Sequence, residues 1–166
     1  MALALASEGH FDRVIATDIS ADALEVAQAN SAMVTSGAPV EFRLGSDLAP
    51  LDGVRARVIV SNPPYIAYHE AAALPASVRD WEPATALFAA DGGMARYNAL
   101  LAHAARYLEP GGFVVFEVDA RRGAETAQLA REYGWTNVRL ARDLSGRDRV
   151  LIAQASLTSV PGPEAR

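Results

Sequence analysis

Short runs of apolar and β-branched residues alternate along this chain with longer segments of helical periodicity, a pattern that predicts an α/β fold around a mostly parallel sheet. Ala2 to Ser7 reads as the remainder of a helix stopped by Gly9, and Arg13 to Thr17 as a strand with Asp18 at its carboxyl end. Ser20 is the expected N-cap of a helix over Ala21 to Ser36, closed by Gly37 with Pro39 beyond it. Val40 to Leu44 is a strand leading into Gly45-Ser46-Asp47, and Arg57 to Ser61 is another, leading into Asn62-Pro63-Pro64-Tyr65. From Ile66 to Gly93 no period holds, so a long, partly helical excursion is expected there; loops of that size in compact domains are usually functional. Met94, Tyr97, Leu101, Ala104 and Leu108 recur at helical spacing, with Pro110-Gly111-Gly112 as the stop. Phe113 to Val118 is an apolar strand interrupted by Glu117, and Ala124 to Tyr133 a helix ended by Gly134. Val138 to Ala141 and Arg149 to Ala155 flank Asp143 to Asp148 as an antiparallel hairpin. Residues 1–157 thus read as one domain, and Thr158 to Arg166, with two prolines and no apolar face, as a flexible tail.

Composition narrows the chemistry. With 166 residues, 51% of them apolar and 21% charged, the chain suits a single globular domain. Its formal net charge of −5 gives no overall basic field for a polyanion, so stable nucleic-acid binding is not expected. The absence of cysteine removes disulfides, thiolate metal sites and cysteine nucleophiles. His10, His69 and His103 lack the pairing of a helical metal site, so no metal centre is expected. Met1 to Ala6 is apolar but too short to cross a bilayer and carries no basic flank, which points to a cytoplasmic protein with no membrane partner.

The strongest chemical signal is Asn62-Pro63-Pro64-Tyr65, hanging from the end of the apolar run Val58-Ile59-Val60. An amide or aromatic amine delocalises its lone pair and is a poor nucleophile until acceptors hold its N–H groups. The Asn62 side-chain carbonyl is one such acceptor. Pro63 and Pro64 fix φ and donate no backbone N–H, which stiffens the segment and leaves the carbonyl between Asn62 and the second proline able to accept. Tyr65 adds an aromatic face for a flat group. Holding a planar nitrogen in line with an electrophilic methyl is mainly positioning and local electrostatics. The plain alternative is a stiff strand-to-loop turn. Ligands of open α/β sheets bind outside the carboxyl strand ends, where Asp18, Asp47, Asn62 and Glu117 all fall. Asp18 fits an acceptor for ribose hydroxyls or a helix-initiating acid. Asp47 fits an acceptor for an adenine amino group or a turn residue. Glu117 reads as a buried acid with a local partner, and Trp81-Glu82-Pro83 as the rim of a substrate mouth or a packed loop.

Taken together, ALALA at the start, ATDIS around Asp18, GSDL around Asp47, VSNPPYI around Asn62, RDWEPATALFAADGG from Arg79 to Gly93 and DLSGRDRV from Asp143 resemble the catalytic domain of release factor glutamine methyltransferases, the HemK/PrmC family. NPPY by itself is shared with DNA and RNA amino methyltransferases; NPPYI followed by WEPATAL is more specific. The resemblance implies a Rossmann-like class I methyltransferase fold. It implies S-adenosyl-L-methionine as cosubstrate, and methyl transfer to the glutamine side-chain amide in the GGQ motif of a peptide chain release factor. By motif, Asn62, Pro63, Pro64 and Tyr65 would hold the target glutamine, with Asn62 also beside the cosubstrate. Asp18 would contact the ribose, and Asp47 and Leu48 the adenine region, Leu48 standing where many members carry an aromatic residue.

Family members normally have a strand and a glycine-rich loop just before the ALALA helix, and a helical domain before that. Neither precedes Ala2 here. The first strand of the sheet, which in the family lies between the strands ending at Asp18 and Asn62, is therefore expected to be missing, leaving unpaired edges. On this reading the 166-residue chain alone is poorly stable and binds S-adenosylmethionine weakly or not at all. Two alternatives stand beside the enzyme: an inactive or partner-dependent fragment, and an adenine-amino methyltransferase, which would need a basic target-reading groove.

Overall fold

A computed structural model describes residues 1–157, which fall into two compact units, Met1–Asp52 and the residues from Gly53 onward. The expected tail over 158–166 lies outside the described residues.

In the first unit helix α1 (Ala2–Glu8) precedes strand β1 (Val14–Asp18), helix α2 (Ala21–Ala32) and strand β2 (Val40–Leu44). The two strands pair in parallel, with Val14 opposite Val40 and Asp18 opposite Leu44. Ser20 caps α2 as expected, its hydroxyl accepting the Ala23 N–H at 3.2 Å. The helix ends earlier than the sequence suggests, at Ala32 rather than Ser36. The chain turns away because α1 leaves carbonyls without helical donors at its end. Gly37 and Ala38 donate to the Ala6 carbonyl at 2.9 and 3.1 Å.

The second unit opens with β3 (Ala56–Ser61) and closes with β8, and its sheet order is β3-β6-β8-β7, where β6 is Leu108–Glu117, β7 Thr136–Arg142 and β8 Asp148–Gln154. β3 and β6 are parallel, while β8 runs antiparallel to both β6 and β7, which realises the expected C-terminal hairpin. Pro110-Gly111-Gly112 does not end a helix; it lies within β6. Ala56 faces Leu108 but Val58 faces Phe113, so these residues bulge out of the ladder. The bulge needs Gly111, whose φ is +75°, and Gly112, whose Cβ would sit 3.0 Å from the Arg57 carbonyl.

Between β3 and β6 the irregular stretch contains β4 (Ile66–Ala67), a 3₁₀ turn over Tyr68–Ala73, two short helices α3 (Ala76–Arg79) and α4 (Ala84–Leu87), β5 (Phe88–Ala89) and a 3₁₀ turn over Asp91–Gly93. Helix α5 (Ala95–His103) continues as a 3₁₀ turn to Tyr107, and α6 is Gly123–Glu132. Val114, Phe116, Val118, Leu151 and Ala153 form the core with Tyr97, Leu101 and Ala130, all essentially without solvent exposure. Trp135 closes this core, its indole N–H donating to the Leu101 carbonyl at 3.0 Å. No helix among the described residues is long and apolar enough to cross a membrane.

Candidate functional site

The β3 strand delivers its carboxyl end directly into Asn62-Pro63-Pro64-Tyr65. Asn62 is exposed, and its carboxamide makes no hydrogen bond to another described residue, whereas Pro63 directly after it is buried. Pro63 anchors the segment in the core while Asn62 lies at the surface. Tyr65 is half-buried and donates its hydroxyl to Glu117 Oε1 at 3.3 Å. Burial, with the Glu117 charge beside it, pushes the Tyr65 hydroxyl pKa above its usual value and keeps it a donor. Glu117, at the carboxyl end of β6, also faces Arg149 at 3.9 Å, and its backbone carbonyl accepts the Tyr97 hydroxyl at 2.9 Å. Glu117 thus has local partners, but its side chain is 38% exposed rather than buried.

Beyond Tyr65 the chain is held by groups that the sequence did not single out. β4 and β5 pair in parallel, Ile66 with Phe88 and Ala67 with Ala89, and Tyr68 stacks on Phe88 with ring centroids 5.4 Å apart. Glu70 accepts the Ala67 N–H at 3.0 Å and bonds Arg121 at 2.6 Å and Arg122 at 2.8 Å. Asp119, two residues past β6, accepts from both arginines as well. Its carboxyl is drawn down to about 2, first by the Arg121 hydrogen bond, then by the Arg121 backbone N–H and the paired positive charges against the cost of burial. The run Asp119-Ala120-Arg121-Arg122 was the available signal, but its partner Glu70 is about fifty positions away and only the fold joins them. Trp81 lies on this excursion and is 85% exposed, so it is not a buried loop anchor.

In the first unit Asp18 ends β1 and is exposed. Its Oδ1 accepts the Ser20 N–H at 2.9 Å, so part of the helix-initiating reading holds, and Oδ2 remains available. The Gly45 N–H donates to the Asp18 carbonyl at 2.9 Å, which brings the Gly45-Ser46-Asp47 loop beside Asp18. Asp47 is exposed with φ of +50°, and the Ser46 hydroxyl donates to its Oδ2 at 3.0 Å. Leu48 is buried at the start of a 3₁₀ turn over Ala49–Leu51. A nucleoside presents vicinal ribose hydroxyls as donors, and an exposed strand-end carboxylate with an available oxygen matches them.

Comparison with known proteins fixes the relationship. The chain is 39% identical over 143 residues to a release factor glutamine methyltransferase of Enterococcus faecalis, covering 86% of this chain and 51% of the relative. It is 41% identical over 154 residues to the protein of the same name from Moorella thermoacetica, covering 92% of this chain and 54% of that one. The chain is a sequence relative of the release factor glutamine methyltransferases. It spans about half the length of the curated relatives it matches. No protein-family model matches. Among solved structures, a methyltransferase from Pyrococcus furiosus superposes with a TM-score of 0.63 at 21% identity, covering 92% of this chain and 68% of that one. An S-adenosylmethionine-dependent methyltransferase in its apo form gives 0.54 at 16% identity, covering 87% and 43%. The fold is the Rossmann-like fold of class I methyltransferases, as the motifs implied.

Proposed function

We propose that this chain is the methyl-transferring part of a protein-glutamine methyltransferase. On this reading it acts in the cytoplasm on the side-chain amide of the GGQ glutamine of a peptide chain release factor, with S-adenosyl-L-methionine as cosubstrate. The observation that carries the reading is the exposed Asn62, whose carboxamide has no hydrogen-bond partner among the described residues, beside buried Pro63 in a chain whose relatives bear that name.

Bound S-adenosylmethionine supplies an electrophilic methyl. Asn62 accepts one N–H of the target amide through its side-chain oxygen, and the Pro63 carbonyl accepts the other. With both hydrogens held as donors, the nitrogen lone pair, which projects perpendicular to the amide plane, would face the incoming carbon. The N–C bond would form as the methyl–sulfur bond breaks, S-adenosylhomocysteine would leave, and one N–H proton would be released to water. Tyr65 supports the flat amide, its hydroxyl tethered to Glu117 so that the ring does not rotate away. By motif, Asp18 would accept from the ribose of the cosubstrate, and Asp47 and Leu48 would border its adenine.

The test is methyl transfer from labelled cosubstrate to a GGQ peptide of a release factor, using the chain together with any residues its gene encodes ahead of Met1. Mass spectrometry is expected to find one methyl on the glutamine amide nitrogen. Asn62→Ala is expected to abolish transfer while leaving cosubstrate affinity within about threefold, because the lost acceptor acts on the nucleophile. Methylation of an adenine oligonucleotide in place of the peptide would overturn the substrate, and full turnover by Asn62→Ala would overturn the clamp.

A further inference from the structure

We propose that Arg122 is a positioning residue for the Asn62–Tyr65 segment, acting as a brace from behind it. The inference rests on the clamp reading of that segment. Arg122 is at the N-cap of α6 with its side chain only 11% exposed, and all three guanidinium nitrogens are engaged in different directions. Nε donates to the Gly92 carbonyl at 2.7 Å, Nη2 to Glu70 at 2.8 Å, and Nη1 to Asp119 at 3.0 Å. Each partner belongs to a different piece of backbone. Gly92 leads into Gly93, which packs so closely under the clamp that a Cβ there would lie 2.2 Å from the Tyr65 carbonyl and 2.9 Å from Arg122 Nε. Glu70 holds the Ala67 N–H, two residues past Tyr65. Asp119 follows the strand that carries Glu117, the partner of the Tyr65 hydroxyl.

A single planar cation therefore joins the turn beneath Tyr65, the exit of the clamp and the strand end that orients the Tyr65 ring. The planar fork matters. A lysine ammonium in the same place is one charged point and cannot address three acceptors at fixed angles. The irregular excursion from Ile66 to Gly93 has one pair of two-residue strands and short helical turns of its own. Rigidity at the clamp has to come from such cross-links, because an active group on a loop is only as well placed as what supports the loop.

Amide hydrogen exchange on the full chain tests this, comparing wild type with Arg122→Met and Arg122→Lys. Arg122→Met is expected to speed exchange at Ala67 and Gly93, whose N–H groups are hydrogen-bonded, by about tenfold, with Val114, Phe116 and Ala130 unchanged. Arg122→Lys should recover only part of that protection. Unchanged protection at Ala67 and Gly93, or an equal loss at the reference amides, overturns the brace. If Arg122→Met does not fold, Arg122→Lys against wild type carries the same comparison with a smaller expected change. In the peptide assay Arg122→Met should lower kcat roughly 10- to 100-fold with cosubstrate KM little changed, since misplacement of the nucleophile costs rate. The two ideas fail separately. Asn62→Ala that keeps full turnover removes the clamp but leaves the exchange result standing, whereas an inactive Asn62→Ala beside an Arg122→Met with normal exchange and kcat removes only the brace.

Discussion

Gly93 shows how a single position can be dictated by backbone alone. Its φ of +94° disfavours any L side chain, and the space where a Cβ would go is filled by the Tyr65 carbonyl and the Arg122 guanidinium. The carbonyl is backbone and the guanidinium is held by three hydrogen bonds, so neither retreats cheaply. Gly93→Ala is expected to cost roughly 2 kcal/mol or more, combining conformational strain with displacement of the clamp exit. Its neighbour is the control: Gly92 also has positive φ, at +59°, but nothing lies within 4 Å of its Cβ position. Gly92→Ala should cost only about 1 kcal/mol, from the left-handed backbone alone. Urea unfolding of the two variants measures the gap, and equal midpoints would refute the argument from contact. Tyr97 makes a different case. It is fully buried with its hydroxyl on the Glu117 carbonyl, so Tyr97→Phe removes the donor that this carbonyl uses on its side-chain face and should cost about 1 kcal/mol.

At the scale of elements, local rules decided more than long-range ones. Helix α6 ends as its sequence requires: Gly134 takes φ of +81°, its N–H reaches the Arg131 carbonyl at 3.0 Å, and the Trp135 N–H reaches Ala130 at 3.1 Å. These two bonds complete a Schellman motif. Ser20→Ala should accordingly unfasten the start of α2 at a cost of about 1 kcal/mol, read as faster exchange at Ala23 and Leu24. Such caps were legible because glycine, serine and proline act within a few residues. The place of Asn62-Pro63-Pro64-Tyr65 at the end of a strand, the acids at strand ends and the antiparallel hairpin were legible for the same reason. What could not be read was set by partners distant in sequence. The early end of α2 depends on the Ala6 carbonyl, the bulge at Pro110-Gly111-Gly112 on register against β3, and the ionic cluster on Glu70 meeting Arg121 and Arg122. Leu48 was read from motif as a cosubstrate neighbour, and its burial in this chain is a packing fact no local pattern announces.

For the molecule as a whole, these buried charges make stability depend on pH in a definite direction. Asp119 is held at about 2 against an ordinary 3.8, chiefly by its hydrogen bond with Arg121. Glu70 is also lowered; burial alone would raise it, and the Ala67 N–H and the Arg122 hydrogen bond outweigh that. A carboxyl whose folded pKa lies below its unfolded value binds protons more readily when the chain is unfolded. It therefore stabilises the fold in full above the unfolded value, and the contribution declines as pH falls through 3.8 toward 2. Asp143, lowered by the Arg147 backbone N–H at the hairpin turn, adds to the same limb, so the acid slope of the wild type is shared. Subtraction isolates the cluster. Asp119→Asn should be less stable than wild type at pH 7, with the difference shrinking between pH about 4 and about 2 as the wild-type carboxylate is titrated away. Urea midpoints collected across that range give the difference curve. A difference that stays constant down to pH 2 would mean that Asp119 contributes by shape rather than by charge.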